Sequence, residues 1–243
     1  MSDFSEVDTC NADGCTIDTR LAADTELVGR TKAISVDIVS DVICPWCYVA
    51  KRQFERAVAG LPSEVKLSVH WVPFELNPNM PREGLDRTAY RSRKFGSWAH
   101  SQKLDAQVTA AATQAGLAMR HDLMTRTPNT FDAHRLIWLA GQEGVQDAVV
   151  EGLFRAYFVE GRDVGEKAVL EDVAAAAGID RERVCSFLAG SEGTGEVAAA
   201  ETGAQRSGMG GVPTFVINGR TAFSGAQRAE LMLAHLMKAV GPS

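Results

Sequence analysis

The stretch SVDIVSDVICPWCYVAKRQFERAVAGL, Ser35 to Leu61, places two cysteines three residues apart where an apolar strand pattern turns into a helix pattern. From Ala33 to Ile43 apolar and β-branched residues dominate, as in a strand. Pro45 then stands where a first-turn proline is tolerated, because its missing N–H would be unpaired anyway. The three-to-four spacing predicts a helix from Pro45 to about Leu61. It would bury Trp46, Val49, Ala50, Phe54, Ala57, Val58 and Leu61, leave Lys51, Arg52, Glu55 and Arg56 elsewhere, and end at Gly60. Next, VKLSVHWV alternates Val65, Leu67, Val69 and Trp71 on one face, as a second strand does. Strand, helix and strand make a βαβ unit with parallel strands.

Working outward, residues 81–207 read as an all-helical block. SQKLDAQVTAAATQAGL, TFDAHRLIWLAGQEG, VQDAVVEGLFRAYFVEG, EKAVLEDVAAAAGI and DRERVCSFLAG are each amphipathic and mostly end at glycine. After the block, Thr214 to Ile217 and Thr221 to Phe223 are short apolar runs joined through Asn218-Gly219, a strong hairpin signal. A closing helix is predicted from Ala226 to Val240. Residues 1–31 are polar and Asp/Thr-rich, and read as an appended arm whose CNADGC segment, Cys10 to Cys15, favours a tight turn at Asp13-Gly14. The predicted fold class is therefore α/β: a βαβ unit and a ββα unit, residues 32–80 and 208–243, separated by a helical insertion over residues 81–207.

Composition narrows the function classes. The 243 residues are 45% hydrophobic, enough to bury a substantial core. A net charge of -6, with the 25 basic residues scattered, argues against a nucleic-acid partner. The acidic first residues hold no signal-peptide core, and no window approaches ~18 uninterrupted apolar residues. A soluble, cytoplasmic protein without membrane attachment is expected. Five cysteines are too few for a disulfide scaffold at this length, so paired cysteines point to redox or metal chemistry.

Pro45 at the first helical position puts Cys44 at the N-cap, facing the unpaired N–H groups and positive end of the helix. Helix N-termini and C-x-x-C motifs lower cysteine pKa values to ~3.5–7.5, against ~8.5 for a free thiol. Cys44 is thus the expected nucleophile. Cys47, one turn along, is placed to attack a mixed disulfide on Cys44 and release the substrate. Buried apolar packing of both cysteines would explain neither Pro45 nor the strand-to-helix junction. A four-thiolate zinc site from Cys10, Cys15, Cys44 and Cys47 is the competing chemistry, but C-x4-C is wide for a zinc pair. Cys185 sits beside Val184, Phe187 and Leu188 and reads as a buried, inert thiol. The five histidines are dispersed, and His134 reads as a packing or helix-contact residue.

SDVICPWCYVAKRQFE, WVPFELNP (Trp71 to Pro78), AHRL (Ala133 to Leu136), EGRDVG (Glu160 to Gly165) and GVPTFVINGRTAFSGAQ (Gly211 to Gln227) together resemble the DsbA family of thioredoxin-like thiol-disulfide oxidoreductases. Within it the chain is similar to the FrnE-type branch, which typically carries C-P-W-C. The resemblance runs from about Ser35 to His235. It implies a thioredoxin-like fold interrupted after its βαβ unit by a helical domain, no bound cofactor and no metal. It also implies a cis-proline loop at Val212-Pro213, whose Val212 backbone faces the sulfurs and pairs with an extended substrate. A further implication is a buried acid on the first strand that takes the proton of the second cysteine; Asp37 matches best, with Asp41 competing. Trp46, Phe74, Met209 and Val212 are the expected apolar contact surface. The periplasmic members carry a histidine between the cysteines, which this chain lacks, so a less oxidising couple is expected.

The expected activity is disulfide isomerisation or reduction on protein or peptide substrates, with glutathione or another cytosolic reductant as electron donor. Relatives of this fold include glutathione-dependent isomerases and transferases acting on small aromatic or polyketide-like molecules, the alternative enzyme class; they usually place serine where Cys44 stands. A zinc-holding chaperone or binding module is the alternative outside enzymes. Cys10 and Cys15 are a candidate second redox pair that exchanges electrons with Cys44 and Cys47.

Overall fold

The computed structural model describes residues 32–241; the arm with Cys10 and Cys15 lies outside the described residues. Strand β1 (Lys32–Ser40) leads through a short turn into helix α1 (Pro45–Val58) and strand β2 (Val65–Pro73). β1 and β2 pair in parallel, Asp37 opposite His70 and Ser40 opposite Pro73, as the βαβ reading predicts. The strand ends three residues earlier than its apolar run. At residues 41–43 the chain folds into a turn instead, with the Cys44 N–H donating to the Asp41 carbonyl at 3.0 Å. The helix likewise stops short of Gly60, its cap being Ala59 in a right-handed conformation.

Between the two halves of the sheet come strand β3 (Leu85–Asp86), helices α2 (Arg87–Phe95) and α3 (Trp98–Gln114), and strand β4 (Arg126–Thr127). Helices α4 (Phe131–Gln142), α5 (Gln146–Phe158), α6 (Lys167–Ala176), α7 (Arg181–Ala189) and α8 (Thr194–Arg206) follow. The insertion is thus not wholly helical: β3 and β4 form a two-stranded antiparallel ribbon. The pair is too short to show the alternation that marks a strand in sequence. Strands β5 (Thr214–Ile217) and β6 (Arg220–Ser224) and helix α9 (Ala229–Val240) close the chain. Asn218 and Gly219 both take positive φ, 49° and 73°, the backbone a two-residue hairpin needs. The main sheet has the order β2-β1-β5-β6, with β5 antiparallel to β1.

One hydrophobic cluster joins the sheet to the helical segment, running from Ile34 and Ile38 through Val108, Leu136 and Phe154 to Phe215 and Leu236. Lys51 departs from its expected place away from the buried face. It is 2% exposed, and its ammonium reaches Asp147 at 3.1 Å and Glu151 at 3.3 Å as well as Glu55. A lysine stem is apolar, so it can be buried wherever its charged end finds carboxylates, a partner that periodicity within one helix does not reveal. The edge strand β2 is covered from the same side: Gln146 accepts the Trp71 N–H at 2.8 Å, and Asp147 accepts its indole N–H at 3.1 Å.

Candidate active site

Cys44 is the N-cap of α1, with extended backbone (φ -87°, ψ 111°) and Pro45 after it. The first turn carries no acidic residue and no side-chain cap, so the positive helix end is presented to the Cys44 sulfur without a competing carboxylate from that turn. Cys47 lies one turn inside, and its N–H donates to the Cys44 carbonyl at 3.0 Å. It is 1% exposed, and burial pushes its thiol well up. Hydrogen bonding to Cys44 and the charge there push the same way, against the Ser40 hydroxyl and the Asp41 backbone. Both cysteines are buried, Cys44 at 5% exposure, and the inner thiol resists ionisation.

The Cys44 Sγ lies 3.8 Å from the Val212 carbonyl oxygen, and the Val212-Pro213 peptide is cis. Met209, Val212 and Pro213 line a shallow depression of about 280 Å³ formed by the loop before β5 and the end of β6. Trp46 stands exposed at 42% beside the cysteines. A separate cavity of about 340 Å³ opens at Cys44, Pro45 and Trp46 and extends along α2 and α3. Phe74 lines neither space; its N–H donates to the Ser40 carbonyl, and it is Leu76 and Asn77 that reach the cavity.

Asp37 is not the buried acid that the resemblance implies. Its carboxylate is 39% exposed and lies 3.3 Å from His70 Nδ1 on the neighbouring strand. Ile34, Val36 and Ile38 are buried on one face of β1, so Asp37, one residue out of phase, lies on the other face, which becomes buried only from Val39 onward. The competing Asp41 is fully buried. Its Oδ2 accepts the Leu76 N–H at 2.7 Å, and its Oδ1 accepts the Ile43 N–H at 3.4 Å.

Around Asp41 the fold gathers three residues that their sequence context did not reveal as partners: His134 from α4, Glu75 after β2 and Glu201 from α8. His134 Nε2 lies 3.5 Å from Asp41 Oδ1, and neither ring nitrogen has a hydrogen-bond partner among the described residues. Burial opposes the charged imidazolium, but Asp41 first, then Glu201 and Glu75, outweigh it and hold His134 above its ordinary value. Burial pushes the Glu75 carboxyl up to about 7, helped by the charges of Glu201 and Asp41 and opposed by His134. Glu201 is raised by burial too, while its Oε1 accepts the Glu75 N–H at 3.1 Å. The available signal was their setting. Glu75 and His134 both stand inside family landmarks, WVPFELNP and AHRL.

Cys185 corrects another expectation, since it lies exposed on α7 while its neighbours Val184, Phe187 and Leu188 turn inward.

A parallel βαβ unit with two cysteines at its strand-to-helix turn, faced by the carbonyl before a cis-proline, defines a thioredoxin-fold dithiol site. The chain belongs to the DSBA-like thioredoxin domain family, which it matches over residues 35–237. Among solved structures it is similar to the probable DsbA oxidoreductase SCO1869 from Streptomyces coelicolor, at 35% identity and a TM-score of 0.77, covering 86% of this chain and 91% of that one. The cytosolic disulfide reductase DsbM from Pseudomonas aeruginosa shares the fold at 18% identity and a TM-score of 0.59, covering 84% and 97% of the two chains. Among curated proteins, the uncharacterized protein YwbO of Bacillus subtilis is 27% identical over 194 residues, 79% of this chain and 90% of that protein. The protein is thus an oxidoreductase-type member of a thiol-disulfide family. Among the described residues, no helix is long and apolar enough to cross a membrane.

Proposed function

We propose that the protein is a cytoplasmic thiol-disulfide oxidoreductase of the FrnE-type, C-P-W-C branch that reduces and isomerises protein or peptide disulfides. The observation that carries this reading is the placing of the two sulfurs: Cys44 at an uncapped helix start against the Val212 carbonyl, Cys47 one turn inside with its proton held. Cys44 attacks a substrate disulfide, forming a mixed disulfide and releasing the first substrate sulfur as thiolate. Cys47 then loses its proton and attacks the Cys44 sulfur, which expels the second substrate sulfur and leaves Cys44 and Cys47 joined. Asp41, the buried carboxylate whose backbone adjoins Cys47, is the residue through which that proton is controlled. Glutathione or another cytosolic thiol restores the dithiol, and no bound cofactor takes part. The Val212 backbone pairs with an extended substrate strand, while Met209 and Trp46 supply apolar contact. The absence of histidine between the cysteines favours reduction and isomerisation over oxidation. The described cytosolic address of the DsbM relative supports the compartment.

The test is a pair of serine variants. Cys44→Ser should reduce insulin reduction and scrambled-ribonuclease refolding to background. Cys47→Ser should instead accumulate mixed disulfides with substrate. Normal turnover by Cys44→Ser would overturn the reading.

A further inference from the structure

Among the described residues, the wall of the cavity at Cys44 holds three cations, Arg87, Arg91 and Lys94, and a single carboxylate, Asp105. The cations stand at i, i+4 and i+7 of α2, a ladder about 10 Å long at 1.5 Å per residue. Asp105 is shared between the two arginines, at 2.7 Å from Arg87 Nη2 and 2.7 Å from Arg91 Nη2. One carboxylate cannot neutralise both guanidiniums. Among the described residues, Lys94 donates to neutral groups, Asn77 Oδ1 and the Tyr90 hydroxyl, each at 2.9 Å. The histidine on this wall, His121, is held below its ordinary value by burial, so near neutral pH it adds little charge. The rest of the lining is largely apolar or aromatic, with Trp46 at the mouth and Phe95, Val108 and Phe158 behind it. A volume of about 340 Å³ falls within the range of small-molecule sites.

We infer that this cavity binds a low-molecular-weight disulfide with an apolar or aromatic body and a carboxylate. The anion sits at Lys94 and Arg91, and the body between Trp46 and Phe95, so that its sulfur meets Cys44. The inference rests on Cys44 being the attacking sulfur, and it adds a small anionic substrate class to the protein disulfides proposed above. The chemistry balances without another component: Cys44 thiolate and R–S–S–R give a Cys44–S–S–R mixed disulfide and RS⁻. Cys47 gives up its proton, displaces the second RS⁻ and closes the Cys44–Cys47 disulfide. Two electrons pass from the dithiol to the ligand.

Two measurements separate the cavity from the thiol chemistry. The first is calorimetric binding of 2-naphthoate, which has no disulfide to exchange, to the reduced full-length protein. It should bind at least about tenfold more tightly than 2-naphthamide, the factor expected from one charge-assisted hydrogen bond. Lys94→Gln should remove most of that preference. Lys94 is exposed, so this substitution spares the fold even if Arg91→Gln, which also frees Asp105 and Ser101, does not. The second is the reaction of Cys44 with 5,5′-dithiobis(2-nitrobenzoate) and with neutral 2,2′-dithiodipyridine, in a Cys10→Ser/Cys15→Ser/Cys185→Ser background. The anionic reagent should show saturation, 2-naphthoate should compete with it, and Lys94→Gln should lower the anionic-to-neutral rate ratio about tenfold. Equal binding of naphthoate and naphthamide, or a ratio unmoved by Lys94→Gln, overturns the cavity assignment and leaves the dithiol reading intact. Naphthoate binding that depends on Lys94, with reagent reaction surviving Cys44→Ser, supports the cavity and refutes the role of Cys44.

Discussion

Behind the dithiol, at the end of β1, three carboxylates surround one buried imidazole; in front of it, three cations and one carboxylate, which pairs with two of them, line the wall of an open cavity. The two clusters differ in more than sign. Asp41, Glu75, His134 and Glu201 come from four segments of the chain; Asp41 and His134 at the cluster's centre are 0% and 2% exposed, Glu75 is buried at the edge and Glu201 is half-buried. Such a cluster is suited to holding protons, because burial and mutual charge decide which of its members ionise. Arg87, Arg91 and Lys94 come from a single helix and face a space large enough for a ligand. The site thus separates two tasks that share one pair of sulfurs: proton control on the buried side, ligand recognition on the open side.

The sharpest way to break that division is to remove the centre of the buried cluster. Asp41→Ala takes away the carboxylate nearest His134 and the acceptor of the Leu76 N–H. Breaking a buried charge pair by deleting one partner costs about 3–5 kcal/mol, a large part of the stability of an ordinary domain. Urea unfolding should show that loss, while Asp41→Asn, which keeps an acceptor for the amide, should lose less. A change below about 0.5 kcal/mol, the scale of ordinary surface substitutions, would show that the cluster does not depend on Asp41.

A smaller effect, tied to pH, comes from Glu75. Its folded carboxyl titrates at about 7, above the ordinary 4.5, so the folded state binds the proton more tightly than the unfolded chain. The stability this provides is complete below pH 4.5 and is lost as pH rises through 7. Glu75→Gln should flatten the stability profile across that window and raise stability at pH 8 by on the order of 1–3 kcal/mol. His134 provides a second, coupled arm. Its raised imidazole contributes stability that is complete below 6.5 and is lost only as pH passes its elevated value; Glu75 is the smallest of the three charges that raise it, so in the Glu75 variant the slope above neutrality should shrink but survive through Asp41 and Glu201. Thermal midpoints at pH 5, 7 and 9 for both proteins check the two windows.

The same contrast explains how much of the molecule was legible in the sequence. The dithiol, the parallel βαβ unit and the Asn218-Gly219 hairpin are local patterns, where residue type and backbone geometry agree within a few positions. The basic ladder was equally local, since its i, i+4, i+7 spacing is visible in RTAYRSRK, Arg87 to Lys94, but a charged helical face ordinarily points to water, and only the cavity distinguishes this one. The acidic cluster has no such spacing. His134 is separated from Asp41 by 93 positions along the chain, and only the tertiary fold brings them together. Lys51 escaped for the same reason, its partners Asp147 and Glu151 lying on α5.

Asp37 is the position where local reading had the means to decide and where the smallest effect is expected. Ile34, Val36 and Ile38 alternate along β1, which assigns Asp37 to the opposite, wetter side of the strand, while Asp41 lies beyond the strand end in the turn that sets Cys44. The family resemblance favoured the first aspartate, with spacing leaving the second in competition; burial favours the second. The carboxylate of Asp37 and the ring of His70 are 39% and 61% exposed, and exposed ion pairs contribute about 0–1 kcal/mol because water and salt screen them. Asp37→Asn should therefore change stability by less than about 1 kcal/mol and leave insulin reduction within about twofold of the wild type. Raising salt should erase what difference there is. If Asp37→Asn instead slowed turnover more than Asp41→Asn, with the fold intact by circular dichroism, the proton of Cys47 would be governed from the strand rather than from the turn. The contrast between a closed, acidic proton store and an open, basic recognition wall would then have to be redrawn around Asp37 and His70.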